Sequence, residues 1–218
     1  MKHKGPLITL LAGLALALTL LVVNMNATKT PSTYRPGAQA GATTAVAPTS
    51  AAPTTAAPAE RVTFAGSTQG GAASIAIAVK DGHVVAYLCD GNRAEAWLQG
   101  TASGGALALT GAGNASLIGT YGNGSAAGSV TAAGRTWSFS VKEVKAPSGL
   151  YRSTATVRNA TVVGGWIVLA NGQQVGVLNV GGQPEPAPAL ALATDGSGGT
   201  ATVDGTTITA VDVDGSAL

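Results

Sequence analysis

The sequence predicts an all-β fold, and three observations lead to that prediction. Apolar residues alternate with polar or small ones at period two along most of residues 61–218, as expected for strands with one buried face. No stretch there has the i, i+3, i+4, i+7 spacing of an amphipathic helix. Tight hairpin turns are expected at four Asp-Gly or Asn-Gly pairs, namely Asp81-Gly82, Asn123-Gly124, Asn171-Gly172 and Asp204-Gly205.

Short strands joined by such turns indicate an antiparallel meander whose edges must be closed or covered. Because consecutive strands usually pair, we expect a small up-and-down barrel or barrel-like sheet, with a β-sandwich as the alternative. A glycine count of 31 and a charged fraction of 10% are typical of a β-rich extracytoplasmic protein. A single cysteine excludes an internal disulfide framework, so the domain depends on its hydrophobic core.

The N-terminal segment predicts a membrane anchor at residues 1–27. Lys2, His3 and Lys4 precede an apolar run, Leu7–Val23, in which Thr9 and Thr19 are the polar side chains. With its neighbours the run approaches the ~20 residues that span a bilayer. We therefore favour an uncleaved signal anchor, giving a single-pass membrane protein with its C-terminal domain outside the cell. Secretion after cleavage following Ala27 is the alternative.

Residues 28–60 form a low-complexity linker of Ala, Thr, Ser and Pro, and Tyr34 is its one aromatic residue. Such a segment buries too little apolar surface to offset the entropy lost on ordering, so we expect a disordered spacer. Its prolines favour an extended chain of ~3.1 Å per residue. The linker is therefore long enough to hold a domain well away from a membrane, and whether its Thr and Ser residues are glycosylated stays open.

The third region, residues 61–218, is the predicted extracytoplasmic β domain. Both faces of residues 84–89 are apolar, which indicates a strand covered on each side. Residues 142–149 and 181–188 break the alternation, and we expect longer loops there. The predicted strands are 61–66, 74–80, 84–89, 95–99, 106–110, 115–121, 126–132, 135–141, 150–158, 166–170, 173–180, 200–203 and 206–211.

Net charge argues against nucleic acid as a partner. Residues 61–218 hold eight Lys and Arg against nine Asp and Glu. Nucleic-acid binding requires a basic face.

The lone thiol and the lone imidazole of the domain do not form a catalytic pair. Cys89 and His83 lie six residues apart on one predicted strand, hence about 20 Å apart at ~3.3 Å per residue. We expect Cys89 to be a small core residue, with pairing to another chain as the alternative, and His83 to lie beside an exposed turn.

Other patterns that carry chemistry are weak or absent in the sequence. There is no Gly-x-Ser-x-Gly elbow, zinc-ligand spacing or phosphate loop, and the Gly111–Gly113 run lacks a following helix. Asp90, Asn92 and Glu95 could hold a cation, but an ordinary turn is the simpler interpretation. The stretch 212–215 begins like a calcium loop, yet lacks the later acidic ligand. We therefore assign no catalytic residue, metal ligand or cofactor.

Large aromatic side chains offer the one sequence-level candidate for a ligand platform. Trp97, Trp137, Trp166 and Tyr87 could present such a surface. Core packing is the default role of residues of this size.

The predicted anchor and linker are followed by a domain that contains three distinctive segments, AYLCDGNRAEAWLQG, KAPSGLYR and GGWIVLANGQQVGVL. Together they resemble exported, membrane-anchored, β-rich envelope proteins of actinobacteria. The resemblance covers most of residues 61–211 and implies a cell-envelope β domain. It implies no catalytic residues.

The sequence thus predicts a membrane-tethered cell-envelope protein whose β domain is not an enzyme and binds an envelope partner or a small ligand. A cell-envelope hydrolase with two carboxylates converging in a cleft is one alternative. A purely structural envelope subunit, recognisable by a large exposed apolar patch, is the other.

Overall fold

Residues 61–218, which the computed structural model describes, contain fifteen β-strands arranged in two antiparallel sheets. The predicted anchor at 1–27 and the predicted linker at 28–60 lie outside the described residues. Within 61–218 no helix is long and apolar enough to cross a membrane. The only helical element in this part is a short 3-10 turn at Ala112–Asn114.

The first eight strands form a closed up-and-down barrel, as the alternation and the hairpin signals predict. Each strand pairs with its sequence neighbour, and the first strand pairs with the eighth to close the ring. Phe64 lies opposite Glu143 at this closure. The strands are Arg61–Ser67 (β1), Ser74–Lys80 (β2), His83–Cys89 (β3), Glu95–Ser103 (β4), Ala106–Gly111 (β5), Ser116–Gly122 (β6), Ser125–Ala132 (β7) and Arg135–Val144 (β8).

Side chains fill the barrel interior, as an eight-stranded barrel allows. The inward residues of β2 and β8 are typical, since Ile75 and Ile77 are fully buried and Trp137, Phe139 and Val141 are at most 7% exposed. The alternation of β8 therefore predicted its inward face correctly.

Seven further strands form a second, half-barrel sheet. The strands are Gly149–Val157 (β9), Ala160–Val168 (β10), Gln174–Val180 (β11), Gln183–Pro186 (β12), Ala191–Leu192 (β13), Gly198–Val203 (β14) and Thr206–Asp212 (β15). Their order in the sheet is β12-β11-β10-β9-β15-β14-β13, so four consecutive strands pair with one another and the last strand returns to pair with β9.

Two predicted loops were wrong in part. Residues 142–149 contain the end of β8 and the first residue of β9, so the loop between them is confined to 145–148. Residues 181–188 contain β12, an edge strand in which Pro184 and Pro186 alternate with Gln183 and Glu185. Proline is tolerated at a sheet edge because the outermost strand has one side without ladder partners.

The hairpin turns follow the dipeptide signals with one exception. Asp81 and Gly82 have φ of 52° and 77°, as a type I′ turn requires, and Asn123-Gly124 and Asp204-Gly205 are alike. At Asn171-Gly172 only the glycine has positive φ, at 81°. That hairpin exists, but its loop is longer, with Leu169 N–H donating to Gln173 O.

The half-barrel sheet packs against the outer face of the barrel. Tyr87, Cys89 and Val85, on the outward face of β3, join Leu150, Ile167 and Val177 of the half-barrel sheet in one apolar cluster. The opposite face of β3 points into the barrel. The prediction that this strand is covered on both sides is therefore confirmed.

Candidate functional site

A cavity of about 370 Å³ opens at the end of the barrel where β8 ends and the chain continues into the half-barrel sheet. We call it the mouth cavity, and define it by its apolar floor and its polar rim. The floor is made by Val62, Phe64, Val79 and Tyr121, and the rim by Asp81, Asn123 and Glu143 together with turn glycines.

Strand alternation places Glu143 on the rim. Trp137, Phe139 and Val141 point into the barrel, and Glu143 is the next residue of the same face. Its side chain is 30% exposed, so the carboxylate lies where the barrel interior meets solvent. Backbone pairing fixes this end of β8, since Glu143 N–H donates to Gly124 O at 2.9 Å.

Asp81 reaches the rim through the β2–β3 turn. Ile75, Ile77 and Val79 face the barrel interior, and Asp81 follows them at the first turn position. On the floor, the rings of Phe64 and Tyr121 meet edge to face, with centroids 6.1 Å apart at 64°. Phe64 is buried, whereas Tyr121 is partly exposed to the cavity side.

The rim is acidic, because two carboxylates and no Lys, Arg or His line the mouth cavity. Lys145 forms an ion pair with Glu143, but this lysine lines a neighbouring cleft and its side chain is 81% exposed. Within the described residues, Asp81 has no ion-pair partner. A concave site with an apolar floor and a few polar groups is typical of small-ligand pockets.

The neighbouring cleft, of about 280 Å³, brings a second pair of carboxylates together. Asp195 and Asp212 both line it, beside Arg61. Hydrogen bonds from the Ser197 backbone and hydroxyl lower the pKa of Asp195, whereas burial raises the pKa of Asp212 despite its ion pair with Arg61. Carboxylates with oppositely shifted pKa values are a pattern seen in acid–base sites.

Two of the four residues predicted as an aromatic platform lie together. Tyr87 and Trp97 stack with centroids 4.2 Å apart, between the barrel and the half-barrel sheet, and the Arg152 guanidinium lies 5.5 Å over the Trp97 ring. Trp137 is in the barrel core and Trp166 is in the core of the half-barrel sheet, so neither joins them.

The residues considered for a cation have other partners. Asp90 Oδ1 accepts hydrogen bonds from the backbone N–H groups of Asn92, Arg93 and Ala94 at 2.8–3.0 Å, which orders the β3–β4 loop. Glu95 Oε2 accepts a hydrogen bond from Tyr87 Oη at 2.9 Å. Across residues 61–218 no cluster of three or more His, Cys, Asp or Glu side chains could hold a metal ion.

The stretch 212–215 serves to pair strands and charges. Asp214 binds Lys80 Nζ at 2.6 Å and accepts a hydrogen bond from Ser216 N–H at 2.9 Å. It is therefore engaged locally rather than held open as in a calcium loop.

His83 and Cys89 occupy opposite ends of β3, as predicted. His83 is exposed beside the turn, and Cys89 is buried with its thiol 3.7 Å from Val175 O. Burial raises the pKa of Cys89 to about 12, so the thiol is neutral and shielded. This confirms Cys89 as a core residue.

Comparisons with protein-family models, with curated proteins and with solved structures find no match to this chain. The sequence did not identify Asp81, Tyr121 or Glu143 as residues of a site. The alternation along β8 does contain a signal for Glu143, because this residue lies two positions after Val141 and therefore on the same inward face.

Proposed function

We propose that this is a membrane-tethered cell-envelope protein whose β domain binds a small ligand in the mouth cavity without catalysing a reaction. The observation that carries the proposal is the combination of an apolar floor with a rim of polar groups in a cavity of about 370 Å³. Pockets of roughly 300–1,000 Å³ with such linings are typical of small-molecule sites.

The surroundings of the mouth cavity support a binding role. Two tight turns, Asp81-Gly82 and Asn123-Gly124, and the end of β8 line the cavity, and antiparallel pairing of the adjoining strands holds them in place, so the cavity exists before a ligand arrives. A preformed site avoids the cost of ordering loops upon binding. Among residues 61–218 the large exposed apolar side chains are Ile118, Val211 and Leu218, which gives little support to an assembly subunit built on a broad apolar patch.

A substitution that fills the cavity tests the proposal. Val62→Trp places a bulky ring at the partly exposed edge of the floor, and Ile118→Trp adds the same ring on the outer barrel surface, where Ile118 is 67% exposed. The full-length protein and both variants are screened against small amphiphilic molecules by saturation-transfer NMR. Compounds that bind the wild type and Ile118→Trp but not Val62→Trp support the proposal. A screen without any such compound contradicts it.

The proposed tether is tested separately, by fractionating cells that produce the full-length chain. An uncleaved anchor predicts that the protein stays in membranes after alkaline carbonate extraction and is digested by protease added outside intact spheroplasts. Recovery in the medium, shortened after Ala27, would favour the secreted alternative.

A cell-envelope hydrolase is the second candidate function, because Asp195 and Asp212 line one cleft. Its support is the shared cleft and the opposite pKa shifts of the two carboxylates. Turnover of envelope glycans that is lost in both Asp195→Asn and Asp212→Asn, with the fold retained, would establish it. The ion pair between Arg61 and Asp212 weighs against it, because the carboxylate is already engaged.

A further inference from the structure

We propose that the ligand of the mouth cavity is a cation, an ammonium group carried on a small apolar body. This inference rests on the proposed function and specifies the ligand class. The cavity is polarised: apolar and aromatic side chains form its floor, and the charged groups stand on the rim. A ligand that matches both parts has an apolar end and a charged or polar end.

The sign of the rim charge selects among such ligands. Two carboxylates, those of Asp81 and Glu143, line the cavity, and no basic side chain lines it. An anionic head would meet the Asp81 carboxylate, which has no ion-pair partner among residues 61–218, and the Glu143 carboxylate, which is paired with Lys145 alone. A neutral head would gain no charge–charge attraction. A cationic head adds charge-assisted hydrogen bonds to carboxylates, which are stronger than neutral ones.

Nearby cations are held outside the cavity. Lys80 precedes Asp81 but pairs with Asp214, and Arg61 pairs with Asp212. These ion pairs leave Asp81 without a partner among the described residues. Lys80 and Arg61 are thus directed to carboxylates that do not line the cavity, and Lys145 is the one basic side chain that pairs with a rim carboxylate among the described residues.

Lys145 shows that the Glu143 carboxylate accepts an ammonium. Its Nζ binds Glu143 Oε1 from the outer side of the rim. Because the lysine side chain is 81% exposed, it can leave this contact for solvent at little cost. A ligand ammonium entering from the cavity would share or replace that contact.

The aromatic floor favours the same ligand class. The Tyr121 ring lines the cavity below the rim and packs on Phe64. A cation held between carboxylates and an aromatic ring gains from both the charges and the ring quadrupole.

Three probes with one ring and different charge test the inference. Benzylammonium, benzyl alcohol and benzoate are titrated into the full-length protein at pH 7 and low salt, with binding followed by NMR. We expect benzylammonium to bind at least tenfold more tightly than benzyl alcohol, and benzoate not to bind. Raising the salt concentration from 0.02 to 0.5 M should lower the affinity for benzylammonium severalfold and leave the affinity for benzyl alcohol unchanged.

Neutralising variants assign the preference to the rim. Asp81→Asn and Glu143→Gln should each lower benzylammonium affinity at least threefold without changing benzyl alcohol binding. Asn-Gly is itself a favoured type I′ turn, so Asp81→Asn retains the hairpin. Lys145→Met should raise benzylammonium affinity, since it removes the competing ammonium. Glu185→Gln, at an exposed carboxylate on β12, is the matched control and should change nothing.

The outcomes separate this inference from the proposed function. If benzyl alcohol or benzoate binds as tightly as benzylammonium, the cationic ligand class is overturned, but the mouth cavity remains a binding site. A charge preference that persists in the Asp81→Asn, Glu143→Gln double variant also overturns it. Loss of binding in Val62→Trp but not in Ile118→Trp shows that any probe observed is in the mouth cavity.

Discussion

The backbone of Gly165 lies against the Tyr87 ring, so close that an ideal Cβ at position 165 would stand 2.4 Å from Tyr87 Cζ. The same Cβ would stand 2.7 Å from Trp97 Cζ2. Gly165 is on β10 of the half-barrel sheet, and the two rings project from β3 and β4 of the barrel. The backbone of β10 can therefore pack directly on the stacked rings, and no residue larger than glycine fits at position 165.

Gly165→Ala should therefore destabilise the domain by about 1–3 kcal/mol, the usual cost of forcing an extra methyl group into a packed core. The methyl group must displace two rings that are held between sheets, rather than the end of a flexible side chain. Urea denaturation of purified protein measures the change. Gly71→Ala is the control, because a Cβ there meets nothing within 4 Å and costs only its positive φ of 69°. Equal losses in the two variants would refute the packing argument.

Local signals in the sequence predicted the local structure well. The Asp81-Gly82 pair identified a type I′ hairpin because both central φ angles must be positive there. The two apolar faces of residues 84–89 predicted a strand buried between the barrel interior and a second layer. Both inferences depend on neighbours along the chain, which a sequence displays directly.

Features set by distant contacts were missed. The half-barrel sheet depends on β15 returning to β9, and no periodicity encodes which strand pairs with which. The mouth cavity depends on β1 meeting β8, which brings Phe64 opposite Glu143. Glu143 fell inside the loop predicted at 142–149, where Pro147 interrupts the strand pattern. At a barrel end, however, an inward residue meets water and can be polar.

Gln174→Ala should lower the free energy of unfolding by about 1–3 kcal/mol, since it leaves the backbone N–H and C=O of Leu190 without these hydrogen-bond partners. Gln174 Nε2 donates to Leu190 O at 3.0 Å, and Gln174 Oε1 accepts from Leu190 N–H at 2.7 Å. Leu190 is 5% exposed, so water cannot readily replace these bonds. Amide exchange at Leu190 should accelerate together with the loss in urea. Gln173→Ala, at the exposed neighbouring position, should leave both measurements unchanged.

Cys89 should not react with Ellman's reagent at pH 8 in the folded protein. The thiol is fully buried, and its pKa of about 12 leaves on the order of one thiolate in ten thousand at that pH. One equivalent should react in denaturant. Ser140→Cys combined with Cys89→Ala, which puts the thiol on the exposed face of β8, should react at once. Faster labelling of Cys89 in Gly165→Ala than in the wild type would report loosening between the sheets, whereas rapid labelling of the native wild type would contradict the burial of this thiol.

Glu95→Gln should stabilise the domain at neutral pH but not in acid. Burial raises the pKa of Glu95 above its usual value of 4.5, outweighing hydrogen bonds from Tyr87 and Asn179 that lower it. A raised pKa in the folded state means that this group's stabilising contribution is present below about pH 4.5 and is lost as the pH rises through the raised value. Glutamine stays neutral and still accepts the Tyr87 hydrogen bond through Oε1.

The gain at pH 7 should be at most about 1 kcal/mol, because the side chain is partly solvated and solvent screens its charge. Thermal unfolding from pH 3.5 to pH 8 measures it: the melting temperatures of Glu95→Gln and wild type should coincide at the acid end and separate as the pH rises. Glu185→Gln, at an exposed carboxylate, should follow the wild type throughout. A lower melting temperature for Glu95→Gln at pH 7 would mean that the hydrogen bonds to the charged carboxylate outweigh its burial.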